Sequence, residues 1–104
     1  MFVVVSYDIP LDHRRTKVMK VLKNFGDHVQ ESVFECNLKP EVYKRMLAEL
    51  EKLIAPKEDS VRLYFINEAD IARILSLGIG PFQRPKGWVF IAEKPRRLPP
   101  PDTA

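Results

Sequence analysis

The chain of 104 residues is predicted to fold as a two-layer α+β sandwich, in which two helices cover one face of an antiparallel sheet. Runs of β-branched and aromatic residues alternate along the sequence with two helical patterns of similar size. The length suits one hydrophobic core, and 45% hydrophobic with 30% charged residues is ordinary for a soluble globular protein. We therefore expect a single domain over residues 1–93.

The first strand and the first helix are predicted near the amino terminus. Residues 2–8 are β-branched or aromatic, and the strand ends before Pro10 because proline cannot donate to a ladder. Asp12 is expected to be the N-cap of the following helix, and Gly26 to stop it. The apolar residues of this helix form one stripe, namely Val18, Val21, Leu22 and Phe25.

Three further elements are predicted in the middle of the chain. Residues 28–38 alternate imperfectly and are expected to be extended, with a bulge or a break into two short strands. A second helix begins at Pro40, which suits a first helical turn, and closes at Pro56. Residues 60–67 predict a strong strand. Residues 68–77 are ambiguous, because Ile71, Ile74 and Leu75 have helical spacing whereas residues 73–77 fit a strand equally well.

The carboxyl-terminal part is predicted to contain a loop, a strand and a tail. Glycine and proline bracket the loop, and a final strand is expected over residues 87–93. This strand is well placed to extend the sheet of a partner chain. Residues 94–104 are rich in proline, so we expect a disordered tail.

The predicted sheet has one face that no helix covers. Apolar residues of the first and last long strands, or their sequence neighbours, would meet water there: Val3, Val5, Leu63 and Phe65. A second copy of the chain is the simplest cover for this face. The architecture therefore predicts a homodimer.

Charge and cysteine content restrict the class of protein. The net charge of +3 permits a nucleic-acid partner without requiring one. The sequence has no signal-peptide pattern and no apolar run near the roughly 20 residues that span a bilayer. The single cysteine, Cys36, cannot form an internal disulfide and is interpreted as a core residue rather than a catalytic thiol. We expect a cytoplasmic protein without a membrane partner.

The first helix carries an unusual set of basic residues. Six of its positions within residues 13–23 are basic, with no acidic residue between them: His13, Arg14, Arg15, Lys17, Lys20 and Lys23. A solvated helix face and a phosphate-binding surface both explain this pattern, although like charges three and four residues apart repel without an anionic partner. Arg84 and Lys86 in the loop are further candidates for phosphate binding.

Asp8 is the principal candidate for chemistry. It ends an apolar strand, where a carboxylate requires water, hydrogen-bond donors or a cation nearby. One interpretation is a cap of the following turn. The other is a ligand for Mg²⁺ or Mn²⁺, with one Asp8 from each chain of the dimer near the twofold axis. His28 similarly fits a polar strand start or an acid–base residue.

Four segments resemble the signatures of the CRISPR-associated Cas-two family. Residues 3–10 (VVVSYDIP) look like its first strand, and residues 14–26 look like the helix that follows. Residues 29–36 (VQESVFEC) and 58–64 (EDSVRLY) are similar to its second and third signatures. The likeness covers roughly residues 1–67, while Glu31 and His28 depart from the family pattern.

The resemblance implies a ferredoxin-like homodimer that bridges the CRISPR integrase during spacer acquisition, and metal-dependent endonuclease activity on RNA or DNA. Asp8 matches the catalytic, metal-binding position of the family. Tyr7, Arg15 and Phe34 match positions linked to activity, and Arg14 and Lys17 match positions that contact the nucleic-acid backbone. The alternatives are a non-catalytic DNA-binding scaffold and a ferredoxin-like RNA-binding module outside this family.

Overall fold

The computed structural model describes residues 1–78. Its first unit, Met1–Ile66, contains six elements: β1 (Phe2–Asp8), α1 (Asp12–Leu22), β2 (Asp27–Gln30), β3 (Val33–Asn37), α2 (Pro40–Leu53) and β4 (Ser60–Ile66). A second unit begins at Asn67 and includes α3 (Glu68–Ile71). The predicted strand over 87–93, the tail over 94–104 and the domain boundary at residue 93 lie outside the described residues.

The sheet confirms the predicted fold class. Its strand order is β2-β3-β1-β4, and every neighbouring pair is antiparallel. Two β-α-β units thus interleave in one sheet, which is the ferredoxin-like arrangement. The register between β2 and β3 shifts between His28 and Gln30, so the expected break with a bulge over residues 28–38 is also confirmed.

Both helices pack on the same face of the sheet. The core joins buried residues of every layer: Val3, Val5 and Tyr7 of β1, Val18 and Leu22 of α1, Met46 and Leu50 of α2, and Phe34 and Cys36 of β3. The prediction that Cys36 is a core residue is confirmed. Burial raises the pKa of the Cys36 thiol to about 11, so the thiolate is scarce at neutral pH.

The face that no helix covers carries the predicted sequence neighbours rather than Val3 and Val5 themselves. Both are fully buried under the helices, and the neighbouring positions Val4, Ser6 and Asp8 lie on the opposite face because strand side chains alternate. Tyr64 is directly opposite Val4 in the register and is 49% exposed. The uncovered face therefore consists of Val4, Ser6 and Asp8 of β1 with their register partners on β4, including Tyr64. The homodimer stays a prediction.

The two ends of α1 differ from the sequence prediction. The N-cap residue is Leu11, which makes no side-chain cap, and Asp12 lies in the first turn. The helix ends at Leu22, four residues before Gly26. Gly26 has an ordinary backbone conformation, but a Cβ there would lie 2.4 Å from both the Cys36 sulfur and the Glu35 carbonyl oxygen. Glycine is required by the close approach of β3 and not by a helix cap.

The segment after β4 begins as a helix. α3 is capped by Asn67, whose side-chain oxygen accepts a hydrogen bond from the Asp70 N–H at 2.8 Å. The helical interpretation is confirmed for Glu68–Ile71. The strand interpretation of residues 73–77 is wrong, since none of them pairs in a sheet.

Candidate metal and nucleic-acid site

Asp8 lies at the carboxyl end of β1 with its side chain exposed. Its register partner on β4 is Ser60. Within residues 1–78, no group donates a hydrogen bond or forms an ion pair to its carboxylate, so the turn-cap interpretation is wrong for this part of the chain. A carboxylate open to solvent can bind a hard divalent cation.

The described residues of one chain do not complete a metal site. No group of three or more His, Cys, Asp or Glu side chains comes together anywhere in residues 1–78. A site with few protein ligands nevertheless suits Mg²⁺, because this cation keeps several water ligands and takes only one or two protein carboxylates. Asp8 is one exposed carboxylate of the kind that Mg²⁺ takes.

Tyr7 and Phe34 support Asp8 from the core side of the sheet. Tyr7 is 4% exposed, and its hydroxyl donates to the Glu31 carbonyl at 3.2 Å. Phe34 is fully buried, with its ring centroid 6.3 Å from that of Tyr7. Burial raises the pKa of Tyr7, with a smaller opposing effect of Arg15. Both predicted activity residues are inaccessible in this chain, so they can act only by positioning β1.

His28 is tied to the turn between β2 and β3. Its ring stacks on Phe34 at 4.4 Å with an interplanar angle of 3°, and its Nε2 lies 3.0 Å from the Glu31 carbonyl oxygen. Because a carbonyl only accepts, Nε2 is the donor. The same oxygen accepts from Tyr7, so His28 and Tyr7 together fix this turn. This contact agrees with the polar strand-start interpretation.

The two arginines predicted to bind nucleic acid make contacts within the chain. Arg14 donates from Nη2 to Glu58 and to Asp59, each at 2.9 Å. Arg15 forms an ion pair with Asp12, and its Nη1 donates to the Ile9 carbonyl at 2.9 Å. Arg15 therefore fixes the turn directly after Asp8.

Three basic side chains of α1, His13, Lys17 and Lys20, are exposed, as is Lys23, the C-cap residue directly after the helix. Lys17 and Lys20 make no ion pair or hydrogen bond with other residues in the described part of the chain. His13, Lys17 and Lys20 share one helix face because they are spaced by four and three residues. The remaining predicted contacts, Arg84 and Lys86, lie outside the described residues.

A pair that the sequence interpretation missed lies near Asp8. The register places Arg62 opposite Ser6 and Tyr64 opposite Val4, on the same face of the sheet as Asp8. Residues 60–67 predict a strand, but only the pairing of β4 with β1 shows which of its residues share a face with Asp8.

The sequence is similar to known proteins over most of its length. The family model described as CRISPR associated protein Cas2 matches residues 1–74. A CRISPR-associated endoribonuclease Cas2 of Chloroflexus aurantiacus is 46% identical over 80 residues, which cover 77% of this chain and 86% of that protein. A CRISPR-associated endoribonuclease Cas2 of Thermus thermophilus is 36% identical over 78 residues, which cover 75% of this chain and 83% of that protein.

A solved structure agrees with these sequence relatives. The crystal structure of Streptococcus pyogenes Cas2 matches with a TM-score of 0.67 and 32% identity, over 75% of this chain and all of that chain. No helix within residues 1–78 is long and apolar enough to cross a membrane. The match to the family model and the level of identity to these relatives show that this chain belongs to the CRISPR-associated Cas2 family.

Proposed function

We propose that this protein is a metal-dependent endonuclease that hydrolyses phosphodiester bonds as a homodimer. The observation that carries the proposal is the exposed carboxylate of Asp8, without a partner in residues 1–78, in a chain whose relatives are named endoribonucleases. RNA is the substrate that these names favour, and DNA is tested beside it.

Asp8 would hold Mg²⁺ or Mn²⁺ in this proposal. When bound, such a cation polarises a phosphoryl oxygen and lowers the pKa of a water molecule. In hydrolysis, the water oxygen bonds to phosphorus, the bond from phosphorus to one nucleoside oxygen breaks, and that oxygen takes a proton. Arg15 and Tyr7 position Asp8 by fixing the turn after it and the strand before it.

The exposed face of α1 supports nucleic-acid binding by the same protein. His13, Lys17 and Lys20 present positive charge on one side of the helix, and no acidic residue of α1 lies between them. Each phosphate that such a surface neutralises releases counterions, which makes the affinity depend on salt. The CRISPR integrase stays a predicted partner. If the dimer cleaves neither RNA nor DNA, a DNA-binding scaffold remains as its proposed function.

The test is cleavage by Asp8→Asn protein, measured on labelled RNA and DNA with and without Mg²⁺. We expect the variant to lose at least about 100-fold in rate, because the amide is a poor ligand for a hard cation. Glu51→Gln is the matched control, since Glu51 is an exposed carboxylate on α2. Light scattering of both variants establishes that they share the wild-type oligomeric state.

Two results would contradict the proposal. Cleavage by Asp8→Asn protein at the wild-type rate would assign the activity to another residue or to a contaminating nuclease. Wild-type cleavage that persists after removal of divalent cations by a chelator would exclude the metal-dependent mechanism.

A further inference from the structure

Arg62 is the closest basic residue to Asp8 in the register of the uncovered sheet face. Asp8 lies opposite Ser60, and Arg62 lies two positions further along β4, opposite Ser6. Residues in this diagonal relation on one face of an antiparallel pair are about 7–8 Å apart, which a long side chain can span. Ser6 and Ser60, the register partners of Arg62 and Asp8, have small side chains and leave room above the sheet.

The charge of Arg62 is not neutralised within residues 1–78. Its side chain is exposed and makes no ion pair with a carboxylate in this range, in contrast to Arg14 and Arg15. Tyr64 lies two residues further along the same strand face, and its side chain raises the pKa of Arg62. Because a guanidinium has five N–H donors, Arg62 has several donors to offer a ligand.

An open carboxylate beside an open guanidinium suits a phosphodiester with its cation. The carboxylate holds the cation, and the guanidinium fork matches two oxygens of a phosphate. Positive groups aimed at the oxygens of a phosphoryl centre stabilise the charge that develops there during cleavage. Lys17 and Lys20 lie on α1, in the other layer of the sandwich, so they do not supply this group.

We propose that Arg62 binds a non-bridging oxygen of the phosphate that lies at Asp8. The proposal rests on the proposed function, since it assigns the scissile phosphate of a single-stranded RNA to this part of the sheet. It makes Arg62 a substrate-binding residue of the same site.

The experiment measures binding and cleavage separately. Anisotropy of a short fluorescent single-stranded RNA is recorded at several KCl concentrations, with Ca²⁺ replacing Mg²⁺ to hold back cleavage. For Arg62→Gln we expect the slope of log affinity against log salt to fall by about 0.7, the loss of one phosphate contact. With Mg²⁺, we expect kcat/KM to fall about 100-fold.

Two further variants make the result specific. Arg45→Gln removes an exposed arginine of α2, on the helical layer, and should leave the salt slope and kcat/KM unchanged. Arg62→Lys keeps the charge but loses the fork, so the slope should be retained while kcat/KM falls about tenfold. This second variant also tests the proposal should Arg62→Gln fail to fold.

The outcomes separate this inference from the proposed function. If the wild-type protein binds RNA through Arg62 but cleaves neither RNA nor DNA, the phosphate contact is supported and the nuclease proposal is wrong. The inference would be overturned if Arg62→Gln kept the wild-type salt slope and kcat/KM, even if Asp8→Asn abolishes cleavage. An equal loss of salt slope and kcat/KM in Arg45→Gln would overturn it as well. Absence of RNA binding by the wild-type protein would also overturn it.

Discussion

At the scale of single residues, the partners of a basic side chain decide what it can bind. The sequence context of Arg14 predicts a nucleic-acid contact, but its guanidinium lies against Asp59 and Glu58. The Asp59 side chain is fully buried, and it also accepts from the Ala55 N–H at 2.8 Å. Arg14 therefore joins α1 to the turn before β4, and this contact stabilises the fold.

The ion pair predicts how Arg14→Gln changes stability with pH. The Arg14 guanidinium, with the Ala55 N–H, holds the pKa of the Asp59 carboxyl below its usual value. A lowered folded-state pKa stabilises the protein above the unfolded value of about 3.9 and loses this effect as the pH falls through the folded value. We expect Arg14→Gln to lower Tm by roughly 5 °C at neutral pH.

Thermal melts followed by circular dichroism between neutral pH and pH of about 3 check this expectation. The difference in Tm between wild type and variant should shrink below a pH of about 4. Lys17→Gln is the control, because Lys17 is exposed and makes no ion pair within residues 1–78. A difference that stays constant across the range would show that the Asp59 carboxylate is not involved.

At the scale of elements, the strands and helices follow from local patterns, whereas their faces follow from pairing. β1, α2 and β4 occur where β-branched runs and Pro40 predict them. Residues 2–5 are all apolar, so alternation along the sequence cannot tell which of them face the helices. Pairing with β3 and β4 decides this, and the same pairing brings Arg62 beside Asp8.

Gly26 tests the packing of the segment that joins α1 to β2. An alanine Cβ at this position would lie 2.4 Å from a backbone oxygen of β3, which cannot move without shifting the strand. We expect Gly26→Ala to lower the free energy of unfolding by about 1–3 kcal/mol, the usual cost of overpacking. Urea denaturation measures the change, with Asn24→Ala, an exposed residue of the same loop, as the control. An unchanged midpoint would refute the close approach.

At the scale of the whole molecule, the uncovered sheet face supports association of two chains. Val4 is half-buried at its centre, and Tyr64 beside it is 49% exposed. β4 has a neighbouring strand on one side only within the described residues. The end of this face around Val4 and Tyr64 is the part that a second copy can cover, while Arg62 and Asp8 lie toward its other end.

Val4→Lys is predicted to separate the two chains without unfolding either one. Val4 lies opposite Glu35 and Tyr64, so a lysine can pair with Glu35 in the free monomer but is buried beside its symmetry mate in a dimer. Light scattering should show a single chain, and cleavage should be lost because the two Asp8 residues are no longer held together. A dimeric, active variant would exclude this face as the interface.

The most direct test of a shared metal site is the number of cations that bind per chain. Titration of the protein with Mn²⁺, followed by the electron paramagnetic resonance of the free ion, gives this number, and light scattering gives the mass under the same conditions. We predict one tightly bound Mn²⁺ per two chains in the wild-type dimer and none in a dimer of Asp8→Asn protein. One Mn²⁺ on each chain of a stable monomer, or unchanged binding by Asp8→Asn, would contradict the account.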